Sequence, residues 1–299
     1  MNDNLLINEE TIYQVPLLIP MASTYFDKIG KKENETYYRA IDLRLCLENI
    51  CDKYIYEFID DNDKLEWSKR STKLRKKLDI SKKYLDENII DALIEAKNCG
   101  NKGAHEGAEA EFDEIEFENA QNAIFDFSLE MLVFFFKKYG YAKLDKEGSW
   151  LPYIFSTLPP LYRVKVLRNY FETNPEPIVI EKLAMAYTKS KCIKEMKEFL
   201  DLCLHNENIN KYQYNSLIIE MKQIEENLEH FPIAQNMKEA KENFINACDI
   251  VSQSEDLHQE PFILLMSLIF YGSKEGIMIE KDKVAQITRD TRGSIIINY

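Results

Sequence analysis

An all-α fold is what this sequence predicts, and three observations predict it. Glycine and proline are scarce, nine of each in 299 residues, while charged residues make up 30% and hydrophobic ones 45%. That balance favours long helices over a β-rich or disordered chain. Apolar residues recur at helical spacing, as in Ile41, Leu45, Ile50, Tyr54 and Phe58. Helix punctuation is also visible: an acidic first turn, a basic last turn, a glycine stop.

The elements follow in order. Pro16 and Pro20 bracket "LLI", which reads as an extended arm with a short helix over 22–29. One long helix is expected from Glu35 to Ile59. After "DDNDKLEW" a basic segment, "SKRSTKLRKKLDISKKYL", reads as a second helix. "DENIIDALIEAKNCG" is a third, with Asp86 and Glu87 in its first turn and Gly100 placed to end it. The connection that follows is rich in glycine. The next helix then opens on a capping box, Asp113 with Glu116, and stops at Gly140 after Lys137 and Lys138. Residues 141–160 carry Gly, Ser and three prolines and mark a domain boundary. Beyond them lie helices over 161–171, 177–189, 193–205, 212–230, 237–251 and 261–271, short and amphipathic, an array of helix pairs. The expected organisation is an extension over 1–34, a helical bundle over 35–146 and a helical array over 147–299. The tail "TRGSIIINY" is apolar and expected to dock on the body or a partner.

The net charge of −13 argues against a surface coated for phosphate, without excluding a local basic patch. No secretion signal is visible, and the longest apolar stretches are too short to span a bilayer. The six cysteines form no CxxC pair and read as reduced, buried thiols, so a cytoplasmic location is expected, with no membrane contact. No P-loop, Rossmann glycine pattern, HExxH or GxSxG appears; no cofactor and no metal are expected.

"EAKNCGNKGAHEG", residues 95–107, gathers three glycines and one of four histidines. With the preceding "LRLCLE" helix and the basic segment, it resembles a HEPN-like domain of unknown function, one also found attached to the motor subunits of type I restriction enzymes. Gly100, Asn101, Gly103, Ala104 and His105 match that domain's GNxxAH core, and Lys97 stands where it commonly has Arg. The resemblance covers residues 35–142. It implies an all-α, dimeric domain. Many members of the wider superfamily are metal-independent ribonucleases of toxin–antitoxin, CRISPR and abortive-infection systems, with an RNxxxH motif. Gly100 occupies the place of that motif's Arg, so the resemblance implies fold and dimerisation more strongly than cleavage.

Two readings of the stretch stand side by side. In a nuclease, His105 is base or acid, Lys97 or Arg44 supplies the cation, Asn101 orients a phosphate oxygen and Glu48 supports Arg44. In a structural site, Asn101 and His105 bond loop backbone and the helix carrying Arg44 and Glu48. A metal at His105, Glu106, Glu109, Glu111 and Asp113 is disfavoured, because nothing converges those oxygens; a solvated acidic loop is expected. Lys69, Arg70, Lys73, Lys76 and Lys77, part of a run that includes Arg75, Lys82 and Lys83, form the one clear positive cluster. Residues 69, 73, 76 and 77 would share one helix face and suit nucleic-acid phosphates. The expected function is a dimerising, non-catalytic HEPN-like interaction module in a prokaryotic nucleic-acid-linked defence or restriction system. A homodimer, a protein partner on the C-terminal array, and RNA or DNA are its expected partners. The alternatives are a metal-independent ribonuclease or toxin using His105, and a scaffold or adaptor without nucleic-acid contact. The apolar helix over 114–139 is expected to give part of its face to a dimer.

Overall fold

The computed structural model describes residues 17–31, 35–106, 113–146, 149–251 and 256–272, with the backbone alone for 103–106. Among them are fourteen α-helices and no strand. The N-terminal arm before residue 17, most of the acidic "HEGAEAEFDE" and the apolar tail lie outside the described residues.

In the first half, α1 (Pro20–Ile29) packs on α2 (Thr36–Asn49), α2 on α5 (Glu87–Glu106), and α5 on α6 (Glu114–Tyr139). Contact of α1 with α6 closes a four-helix bundle. Proline starts α1 at a position whose N–H has no helical partner anyway. The helix expected over 35–59 changes winding: α2 passes into a π-helical turn at Ile50–Tyr54 and a 3-10 turn at Ile55–Phe58. Tertiary partners hold the altered winding. Buried Tyr54 meets Phe127 edge-on at 5.9 Å, and Asp52 accepts from Trp67 Nε1 at 2.9 Å and from Lys77.

The basic segment is also not one helix. α3 (Asp61–Trp67) ends before Ser68, and α4 (Leu74–Ser81) starts after Lys73. Lys69 and Lys73 therefore sit in or beside a turn, and the expected single face over 69, 73, 76 and 77 does not form.

α6 is the central helix, and Gly140 ends it with φ of 79°, a backbone that favours glycine. Asp113 is its N-cap, accepting from Ile115 N at 3.0 Å. The reciprocal half of the capping box is absent, because the Glu116 carboxylate takes Lys102 instead. Phe117, Ala120, Ile124, Phe127, Met131, Leu132, Phe135 and Phe136 are all buried within this single chain. The face expected to meet a second chain is thus spent on the chain's own core, and it no longer argues for a dimer.

Phe136 joins the halves. Its ring meets Tyr141 at 4.9 Å, Phe155 at 5.2 Å, Tyr170 at 6.0 Å and Phe262 at 5.8 Å. Those partners come from α7 (Tyr141–Leu144), α8 (Leu151–Phe155), α9 (Pro160–Phe171) and α14 (Gln259–Tyr271). One contiguous core therefore includes side chains from both sides of residues 141–160. From α9 the chain continues through α10 (Pro177–Lys189), α11 (Ile193–His205), α12 (Lys211–Glu226) and α13 (Met237–Ile250). α10 packs on α9, α11 and α12, as an array of short helices would. Five of the six cysteines are buried and the sixth, Cys192, is half-buried; all are free thiols. No described helix is long and apolar enough to cross a membrane.

Candidate phosphate-binding site at the α2–α5 crossing

Gly100 does not end a helix. α5 runs through it to Glu106, so the stretch read as an irregular connection is helical as far as residue 106. The glycine is there for close approach. A Cβ at position 100 would stand 3.1 Å from the Ala40 carbonyl oxygen, 3.2 Å from Arg44 N and 3.3 Å from Arg44 Cβ. α5 thus presses its backbone onto α2 at Ala40–Arg44, and the contact sets where Arg44 stands relative to α5.

One turn before the crossing, α5 presents half-buried Lys97. Its ammonium is held below the usual lysine pKa, first by burial and then by Arg75 and Arg44, with Glu95 opposing. Lys97 on α5 therefore stands within electrostatic reach of Arg44 on α2 and Arg75 on α4. Arg44 Nε donates to Glu48 Oε1 at 3.0 Å, and Arg75 pairs with Asp79 at 3.3 Å. Both pairs are partly solvated, with 37–52% of each side chain exposed, so they compete weakly with an incoming anion. Lys97 has no ion pair among the described residues; its Nζ donates to Asn98 Oδ1 at 3.2 Å. Asn101, half-buried, follows one turn on. Position 105 comes four residues later on the same stripe of the helix; the His105 side chain lies outside the described residues.

The expected site residues therefore divide. Arg44, Glu48, Lys97 and Asn101 lie around one crossing. Of the expected nucleic-acid residues, Lys69 pairs with Glu66 and Lys77 with Asp52 beneath the Trp67 ring. Arg70, Lys73 and Lys76 are exposed, without an ion pair among the described residues. Arg75, on α4, acts electrostatically on Lys97, yet in the sequence it was only one charge of a long run. Its α4 position, stacked on α5, is a tertiary fact with no local signal. Among the described residues no group of three His, Cys, Asp or Glu is placed to hold a metal ion.

Chemically, the crossing offers three cations and one amide, with Glu48, Asp79 and Glu95 as their carboxylate neighbours. A phosphate group placed there would relieve the mutual repulsion of the three cations and accept charge-assisted hydrogen bonds. No family model matches this chain, and no curated protein or solved structure matches it either.

Proposed function

We propose that this protein is an interaction module that holds a nucleic-acid backbone at the Arg44–Arg75–Lys97 cluster and does not cut it. The close approach of α2 to α5 at Gly100 and the packing of α4 on α5 carry the reading, because they bring Arg44 and Arg75 within electrostatic reach of Lys97, and a phosphate there would offset that repulsion. Arg70, Lys73 and Lys76 extend the positive surface from the neighbouring turn and helix. No aromatic residue interrupts the run from Lys69 to Lys77, which favours backbone contact over base stacking. The resemblance to HEPN-like domains supplies the setting, a prokaryotic defence or restriction system, and a homodimer. The helical array over 147–299 is the proposed seat of a protein partner.

Gly100 supports the non-nucleolytic choice. The superfamily's nucleases carry Arg at this place in the motif, and here α2 approaches so closely that even a Cβ would stand 3.1–3.3 Å from its atoms. The ribonuclease reading keeps one observation in its favour, the register of Lys97, Asn101 and position 105 on a single stripe. The deciding experiment incubates purified protein with labelled single-stranded RNA and DNA in excess chelator. The proposal expects retention of intact nucleic acid. Chelator-resistant cleavage that leaves a 2′,3′-cyclic phosphate and is lost in His105→Ala would replace it with a ribonuclease. Failure to retain either nucleic acid would leave a scaffold.

A further inference from the structure

α14 is apolar over most of its surface. From Pro261 to Phe270 its one polar residue is Ser267. A helix that is hydrophobic all round belongs inside a core. One side of α14 meets that requirement: Phe262 packs on Phe135 at 5.0 Å and Trp150 at 5.3 Å, and Phe270 on Phe244 at 5.0 Å. The other side does not. Ile263 and Leu264 are only partly buried, and they line an open groove of about 600 Å³ between α14 and α6. Half-buried Phe58 and Phe134 line it too, with Leu257, which is 87% exposed. Apolar side chains grouped in this way, rather than scattered singly, mark an interaction site.

Three charges border the groove. Glu57 and Glu260 are exposed and have no ion pair among the described residues. The Lys138 ammonium lies over the Phe134 and Tyr139 rings, 5.9 Å and 5.4 Å from their centroids. Two carboxylates against one ammonium leave the rim negative.

The chain itself supplies a matching occupant. α14 ends at Gly272, and 21 residues separate Gly272 from Ser294. A chain of that length spans up to about 70 Å, whereas Ile263 lies only about 14 Å back along α14 from Gly272. Two apolar runs fall within this reach. Ile277, Met278 and Ile279 are flanked by Lys274, Glu275, Glu280 and Lys281, whose charges cancel. Ile295, Ile296 and Ile297 follow Arg289, Asp290 and Arg292, a net positive approach, and Tyr299 comes two residues later. The second run suits an apolar groove with a negative rim.

From this match we propose that residues 294–299 dock in the groove between α6 and α14 of their own chain. The isoleucines cover Ile263, Leu264 and Phe134, and Arg292 approaches Glu57 or Glu260. The groove is separate from the α2–α5 crossing and is filled whether or not that crossing holds nucleic acid.

The test is site-specific photo-cross-linking of the full chain, with p-benzoylphenylalanine in place of Leu257, a position exposed enough to leave the fold intact. Trypsin cleaves after Arg292 and releases residues 293–299 as one peptide. That peptide should be the main cross-linked product, in protein that runs as a single chain. Ile295→Asp with Ile297→Asp should cut the yield by about 10-fold or more, since each isoleucine withdrawn from water is worth at least about that factor. The same photo-reactive residue at Tyr212, which is 82% exposed on α12 and is not part of the groove lining, should give no such product. A main product containing residues 275–281, or one joining two chains, would overturn the proposal, as would the absence of any product. So would an equal yield in the aspartate variant or from position 212.

Discussion

Replacing Gly100 with alanine separates two roles a glycine can play. In an exposed helix interior, alanine is better than glycine by about 1 kcal/mol, because it restricts the unfolded chain and exposes less backbone. At position 100 the added methyl would sit 3.1–3.3 Å from three atoms of α2, well inside ordinary carbon contact. Two of those atoms are backbone, so no side-chain rotation relieves the clash. α2 is itself packed between α1 and α5, so it cannot withdraw without opening the bundle. Overpacking of this kind costs about 1–3 kcal/mol, and the rigidity of the partner places this case toward the upper end. The net expectation is a destabilisation of about 2 kcal/mol for Gly100→Ala, and of several kcal/mol for Gly100→Leu by the same overpacking. The assay is urea unfolding followed by far-UV circular dichroism. A raised midpoint in Gly100→Ala would refute the reasoning: it would mean that α2 gives way at Ala40–Arg44, so that the crossing does not hold Arg44 rigidly against α5.

Three further substitutions probe the core and one cap. Glu130 is buried, and burial pushes its carboxyl up to about 7 against the pull of Lys137; in the unfolded chain it titrates near 4.3. The folded state therefore holds a proton that the unfolded state releases, so stability is full below about pH 4 and is lost as pH rises to about 7. The loss is roughly 4 kcal/mol. Glu130→Gln should remove that part of the pH slope and raise stability at pH 8; urea midpoints at pH 5 and 8 that fall equally in both proteins would count against it. Asp113→Ala should cost about 1 kcal/mol through the lost N-cap bond to Ile115 N, whereas Glu116→Gln should weaken the contact with Lys102 and leave the cap intact. A cap variant that melts like wild type would show that α6 is held without it.

Helices whose ends carry local chemistry were legible in the sequence. α10 and α11 fall at the bounds their patterns predict, and α6 starts at Asp113 and stops at Gly140. Each of these signals acts within a few residues, so the chain alone encodes it. The misreadings share the opposite property. Gly100 can end a helix or admit a neighbour, and only the position of α2 decides between them. The break between α3 and α4 falls in "SKRSTK", which holds neither Gly nor Pro, and the apolar pattern runs through the π turn at 50–54 without interruption. Glu116 satisfies the capping-box spacing, but Lys102, fourteen residues earlier in the chain, takes its carboxylate. At the candidate site, Arg44, Glu48, Lys97 and Asn101 were legible as residues but not as a helix crossing. Arg75 was hidden in a run of like charges.

The central claim is that the α2–α5 crossing binds nucleic-acid phosphates. Its most direct test is the salt dependence of binding, measured by fluorescence anisotropy with a labelled single-stranded oligonucleotide in chelator, for wild type and for Arg75→Met with Lys97→Met. Each phosphate contact contributes a slope of about −0.7 in log affinity against log salt for a single strand. The double variant should bind more weakly and lose up to about 1.4 of that slope, with an unchanged melting curve. Equal affinity and equal slope in the two proteins would contradict the account.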